Sequence, residues 1–297
     1  MAYRLRLDES VADGLRRLAR KELKSAADTL RQGRTPDDDA IHEARKSMKK
    51  VRAIVHLVDA DGGRGLRRAA RRLRAINRTL SKARDADAML EVLATLKKKQ
   101  PHLFTAPTFA RVRRHLLARK RTLMKNAQHD GAWQDIVDDL RRLRRSAGHW
   151  TPEHRRFGAL GAGLAITYKR GRKAMHRAIE RGQANDFHEW RKQVKTLWYE
   201  LRLIQDCSPG IRHDIAALDR AERWLGEDHN VVILCAELAK EVAPGRAKID
   251  LDRLQLAADR YQLALRAKAI ASLRSVYLHD PGAYLRGIKA AWTSARR

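Results

Sequence analysis

The sequence predicts an all-α protein, and three observations carry that expectation. Glycine and proline punctuate the chain at spacings that suit helices, at residues 33–36, 62–65, 101–107, 148–152, 182, 209–210, 244–245 and 281–282. The segments between them are rich in Ala, Leu, Arg, Lys and Glu, all good helix formers. Val and Ile occur mostly singly at helical spacing, without the sustained period-two alternation of a half-buried strand.

In chain order, the first segment is a basic helix bearing Arg20, Lys21 and Lys24. After the break at 33–36, Ile41, Ala44, Met48, Val51, Val55 and Val58 step by three and four and form one apolar seam. One position later, about 100° around the helix, runs a second stripe of His42, Arg45, Lys49, Arg52 and His56. The third segment contains Leu80-Ser81-Lys82-Ala83-Arg84-Asp85 and ends in Lys97–Lys99; the fourth carries Arg114, Lys120 and the run Arg141–Arg145. Beyond 148–152 lies the basic helix Tyr168-Lys169-Arg170-Gly171-Arg172-Lys173. The next helix pairs a seam of Phe187, Trp190, Val194, Leu197, Leu201 and Ile204 with a stripe of His188, Arg191, Lys195, Trp198 and Arg202. Leu225–Asn230 follows 209–210, Arg260 and Arg266 follow 244–245, and a last helix occupies about 283–294.

Several of these segments are related. His42-Glu43-Ala44-Arg45-Lys46-Ser47-Met48-Lys49 returns 146 residues later as His188-Glu189-Trp190-Arg191-Lys192-Gln193-Val194-Lys195, the pattern H-E-x-R-K-x-x-K. Arg114 and Lys120 meet Arg260 and Arg266 at the same offset, and Leu80–Asp85 meets Leu225–Asn230 at 145. Each histidine is preceded by a basic helix. This order points to a tandem duplication within a single domain of 1–297. The halves are 1–150 and 151–297, each a bundle of about four helices, the second with a C-terminal helical tail.

Charge narrows the function. The 64 Lys and Arg against 35 Asp and Glu leave +29, a self-repelling surface that a polyanion relieves: nucleic acid, anionic membrane, or an inorganic polymer such as polyphosphate. The first half holds 37 basic and 18 acidic residues, the second 27 and 17. Within each helix, the stripes set like charges three and seven residues apart with no acidic partner, at a cost of a few tenths of a kcal/mol, about 0.2–0.5, per pair. An ordinary solvated face mixes signs, so the recurrence of the stripe favours a missing anion. His42 and His188, where stripe meets seam, either donate to a phosphate oxygen or bond a neighbouring helix. Lys97–Lys99 and Arg141–Arg145 read by default as solvated ends.

Other classes fit less well. Cys207 and Cys235 have no metal or redox spacing, which suits a reducing compartment. The N-terminus lacks a signal-peptide core, and no run approaches the roughly 18 apolar residues of a membrane span. A cytoplasmic protein without membrane, metal or cofactor is the expectation. Catalysis is not expected: Lys46 and Lys192 stand where a zinc-binding H-E-x-x-H needs its second histidine, and neither a phosphate loop nor a nucleophile elbow is present. Non-specific nucleic-acid binding remains the rival, although aromatics are only 5% of the chain and offer few stacking platforms.

The paired H-E-x-R-K-x-x-K helices, the Leu80–Asp85 segment and the basic Tyr168–Lys173 helix resemble the conserved histidine α-helical domain, CHAD, over nearly the whole chain. The resemblance implies two four-helix bundles related by pseudo-twofold symmetry around a basic central channel. It also implies binding of inorganic polyphosphate and association with polyphosphate granules. Carried onto this chain, the ligand contacts are His42, Arg45, Lys46, Lys49, His188, Arg191, Lys192 and Lys195, with Arg20, Lys21, Lys24, Lys169, Arg170 and Lys173 on the preceding helices. Arg52, Arg202, Arg114 and Arg260 complete the candidate set. The repeat is not strict. Lys50 becomes Thr196, Arg52 becomes Trp198, and Arg84-Asp85 becomes His229-Asn230.

Overall fold

In the computed structural model, which describes residues 3–31, 36–58, 64–101, 106–129, 132–152, 154–239 and 246–297, ten α-helices carry the fold and no strand occurs among those residues. They are α1 (Val11–Leu30), α2 (Asp38–Val58), α3 (Arg64–Lys99), α4 (Ala106–His129), α5 (Ala132–Ala147), α6 (Gly158–Arg181), α7 (Ala184–Arg202), α8 (Pro209–Leu238), α9 (Arg246–Leu273) and α10 (Pro281–Ala295). The expected breaks separate these helices, although 33–35, 62–63, 102–105 and 244–245 themselves lie outside the described residues. The expected breaks do not include one between α4 and α5, so the first side of residue 150 holds five helices rather than about four, while the second holds four and the C-terminal helix.

Local chemistry explains several boundaries. Ser10 accepts the Asp13 amide at 3.1 Å and caps α1. Ser208 does the same for Gly210 at 3.0 Å, with Pro209 opening α8. Asp280 accepts the amides of Gly282 and Ala283, each at 2.9 Å, ahead of Pro281 at the start of α10. α6 stops at Gly182, whose φ of 66° is a left-handed conformation that glycine adopts without a steric penalty.

The two apolar seams read from the sequence are buried. Ile41, Ala44, Met48 and Val51 on α2, and Trp190, Val194, Leu197 and Leu201 on α7, are at most 1% exposed. They belong to one large core built from α1, α2, the first half of α3, α5, α6, α7, the first half of α8, the end of α9 and α10. A second, smaller core joins the C-terminal parts of α3 and α8 with α4 and α9, through Leu93, Leu96, Leu116, Leu234 and Leu265. Each core draws on both sides of residue 150. α6 seats closely on α2: a Cβ on Gly163 would lie 2.7 Å from the Leu57 backbone. α10 closes the large core, with the Tyr284 ring stacked on Tyr168 at 3.9 Å between centroids.

Candidate anion-binding cavity

The burial of these seams turns the neighbouring basic stripes of α2 and α7 toward a shared cavity of about 220 Å³, completed by α3. Lys49, Arg52 and His56 line it from α2, Arg74 from α3, and Arg191, Lys192, Lys195, Thr196 and Tyr199 from α7. Six cations therefore border one small space. Lys49 and Lys195 hold equivalent places in the repeated motif and act on one another electrostatically.

The cost of this crowding appears in the ionisation of the lysines. Burial, then Lys195 and Arg45, push the Lys49 ammonium down to about 6. Burial also lowers Lys195, with Glu222 opposing it and Arg191 adding to it. Arg52 is lowered by burial and by Arg74.

The acidic partner that the stripes lack within their own helices comes in part from α8. Glu222 pairs with Arg191 at 3.3 Å and with Lys195. Burial works to raise the Glu222 carboxyl, but Lys195 and Arg191 outweigh it and hold it below the usual carboxylate range. The sequence expectation of wholly unrelieved stripes is corrected here for α7: a residue 27 positions away in the chain, invisible to helical periodicity, supplies the counter-charge. Beneath the cavity, His56 Nδ1 lies 3.0 Å from a fully buried Glu200 carboxylate, and Thr167 donates to the same oxygen at 3.1 Å.

The candidate residues divide by location. Lys49, Arg52, Arg191, Lys192 and Lys195 line the cavity. Arg45 does not line it but adds to the field at Lys49. Lys46 is exposed and pairs with Glu43 at 3.3 Å, while Lys192, at the cavity edge, pairs with Glu189. Arg202 lies over the rings of Trp198 at 4.8 Å and of Tyr3 and Tyr199 at 5.7 Å, so aromatic faces engage its guanidinium.

On α1, Arg20 and Lys24 are exposed and Lys21 is partly so, with Lys24 paired to Asp28 at 2.7 Å. Lys169, Arg170 and Lys173 are exposed on α6, as are Arg114 on α4 and Arg260 on α9; none of these borders the cavity. Neither motif histidine lines it. His42 is exposed near the start of α2. The half-buried His188 ring packs on His229 of α8, with centroids 4.1 Å apart. Burial, followed by Lys192 and Arg191, lowers His188, and burial followed by His188 takes His229 down to about 3, so this pair is neutral near pH 7.

Lys50 shows why one departure from the repeat changes little at the cavity. Its ammonium bonds Glu22 of α1 at 2.9 Å, away from the lining, whereas Thr196 at the equivalent place borders the cavity. The side chains of 81–87, which include Arg84 and Asp85, lie outside the described residues. Lys97 and Lys99 stand over Phe109 and Tyr261 at 4.0 and 5.4 Å, while Arg141 and Arg142 pair with Asp138 and Asp139 at 3.0 and 2.6 Å. Sequence reasoning carried neither Arg74 nor His56 into the site. His56 stands on the α2 stripe and was legible there; Arg74 lies in an arginine-rich stretch that no repeat singles out.

Among the described residues, no group of three metal-ligating side chains occurs and no helix is long and apolar enough to cross a membrane. The family model of the CHAD domain matches residues 14–239. Among solved structures, that of the CHAD domain from the plant Ricinus communis aligns over 98% of this chain and 95% of its own, with a TM-score of 0.58 and 17% identity. At that identity the likeness concerns the fold. The search of curated proteins gave no match.

Proposed function

Because this chain belongs to the CHAD domain family, we propose that it binds inorganic polyphosphate without transforming it, in a basic channel centred on the cavity between α2 and α7. The observation that carries this reading is the cluster of Lys49, Arg52, Arg74, Arg191, Lys192 and Lys195 around one space, close enough that Lys49 is held largely neutral. Cations so confined repel one another, and an anion placed among them gains from each. Arginine forks onto phosphate oxygens and lysine serves as a point charge. The meeting of Lys49 and Lys195, equivalent residues of a repeated motif, supports a pseudo-twofold axis through the channel.

Polyphosphate suits the lining because it is all backbone and no base. The cavity border offers cations together with Thr196, Tyr199 and His56, a lining that supplies charge and hydrogen bonds to phosphate oxygens. A cytoplasmic protein with this property would coat polyphosphate granules.

The test reverses Arg45, Lys49, Arg191 and Lys195 to glutamate together. The control reverses Arg253, Arg274, Arg286 and Lys289, exposed cations of α9, α10 and the segment between them. Arg141–Arg145 is a poorer control than its sequence suggests, because its reversal would break the pairs with Asp138 and Asp139. The cavity set should weaken polyphosphate binding by about 100-fold or more, since the three lining contacts at about 1.5–3 kcal/mol each exceed that loss even with non-additivity, and Arg45 adds to the field. Equal losses from both sets would show that net charge alone matters.

A further inference from the structure

α3 has a feature that the cavity uses only in part. From Arg64 to Leu80 it carries seven arginines and no acidic residue. At about 100° per residue, the buried Leu66, Ala69, Leu73, Ile76 and Leu80 occupy one side of the helix. Arg74, Arg67, Arg78, Arg71, Arg68 and Arg72 follow one another around the exposed half, in that angular order.

The two ends of this arc meet different hollows. Arg74 borders the central cavity, beside Ala70. Arg78, Arg71, Arg68 and Arg72 open onto a second groove of about 690 Å³ between α3 and α5. There Asp139 bonds Arg72 and Arg142; burial works to raise its carboxyl, and those two guanidinium groups hold it below the usual range. Among the described residues no ion pair involves Arg67, Arg68, Arg71, Arg74 or Arg78.

The corresponding stretch of the second half differs. Residues 210–226 of α8 carry Asp214, Asp219 and Glu222 among Arg212, Arg220 and Arg223. A run of arginines with no acidic residue among them is therefore a property of α3. Like-charged neighbours on a helix cost stability, and arginine in place of lysine favours bidentate contact with phosphate. The α3–α5 groove has no aromatic platform for stacking bases; its apolar lining is alanine and leucine.

We propose that the arginine arc of α3 carries an extended phosphate polymer out of the central cavity and into the α3–α5 groove, which makes the protein selective for long chains. The proposal rests on the polyphosphate reading and adds to it a second contact. From Arg67 to Arg78 the arc rises about 16 Å along the helix axis, so only a ligand long enough to leave the cavity gains from it.

The experiment titrates the full chain with tripolyphosphate and with long-chain polyphosphate, at several salt concentrations. It compares wild type, the groove variant Arg68→Gln/Arg71→Gln/Arg78→Gln, and the cavity variant Lys49→Gln/Arg191→Gln/Lys195→Gln, with thermal melting to verify folding. Wild type should bind the long polymer more tightly per phosphate. The groove variant should keep its tripolyphosphate affinity within about twofold and lose about tenfold or more for the long polymer. Its slope of log affinity against log salt should flatten by about two, as three lost phosphate contacts require. A groove variant that binds both ligands like wild type, or loses both equally, overturns the proposal, as does a wild type without length preference. A folded cavity variant that keeps full affinity for both ligands sinks the underlying function reading, an outcome distinct from failure of the groove.

Discussion

Lys49 shows how one residue links the free and bound states. In the free protein, burial and the cations Lys195 and Arg45 hold its ammonium down to about 6, so it is largely deprotonated at neutral pH. A polyanion in the cavity replaces that repulsion with attraction and favours the charged form. Binding near pH 7.5 is therefore expected to take up about one proton per site. The uptake should shrink as pH falls below 6, where Lys49 already carries its proton. Calorimetry in buffers of different ionisation enthalpy reads this directly, and a binding enthalpy independent of buffer would remove Lys49 from the contact. The histidines divide differently. His188 and His229, neutral and in ring contact, join α7 to α8, whereas His56 faces the cavity on a support of Glu200 and Thr167.

At the scale of helices, the cavity depends on how closely α2 and α6 approach. Gly163 lets the α6 backbone seat against Leu57, next in sequence to His56, and a Cβ there would lie 2.7 Å from the Leu57 Cα. That contact is with backbone, which cannot swing aside. Gly163→Ala is expected to destabilise the protein by about 1–3 kcal/mol, measured by urea denaturation, despite the better helix propensity of alanine. A neutral or stabilising effect would mean that α6 shifts freely on α2. The glycine and proline breaks divided most of the helices correctly. The expected breaks did not include the α4–α5 division, although the Asp130-Gly131 pair between the two helices is a turn signal in the sequence.

At the scale of the whole molecule, the excess charge is concentrated. The first half carries the larger imbalance, and much of it sits on α3, where one helix borders both the central cavity and a second groove. A distributed positive surface would favour any polyanion alike; a lined cavity adds close contacts that depend on ligand width. Long-chain polyphosphate is therefore expected to outcompete duplex DNA at matched phosphate concentration, and to keep its lead as salt rises from low to near-physiological. Equal competition by DNA at both salts would make this a generic polyanion binder.

The sequence by itself determined the all-α class, the buried seams of α2 and α7, the repeat between them and the presence of basic stripes beside the seams. These follow from periodicity, because a helix places every third and fourth residue on one face whatever its surroundings. Only the tertiary structure decided which stripe residues share a cavity. Lys49, Arg52, Arg191, Lys192 and Lys195 line it, while Arg202 lies on aromatic rings and Lys46 on Glu43. It also brought in Arg74, and set Glu222 against Arg191 and Lys195. The reason is physical: a cation's partner is fixed by the packing of helices distant in the chain, and periodicity within one helix carries no information about the helix it will face.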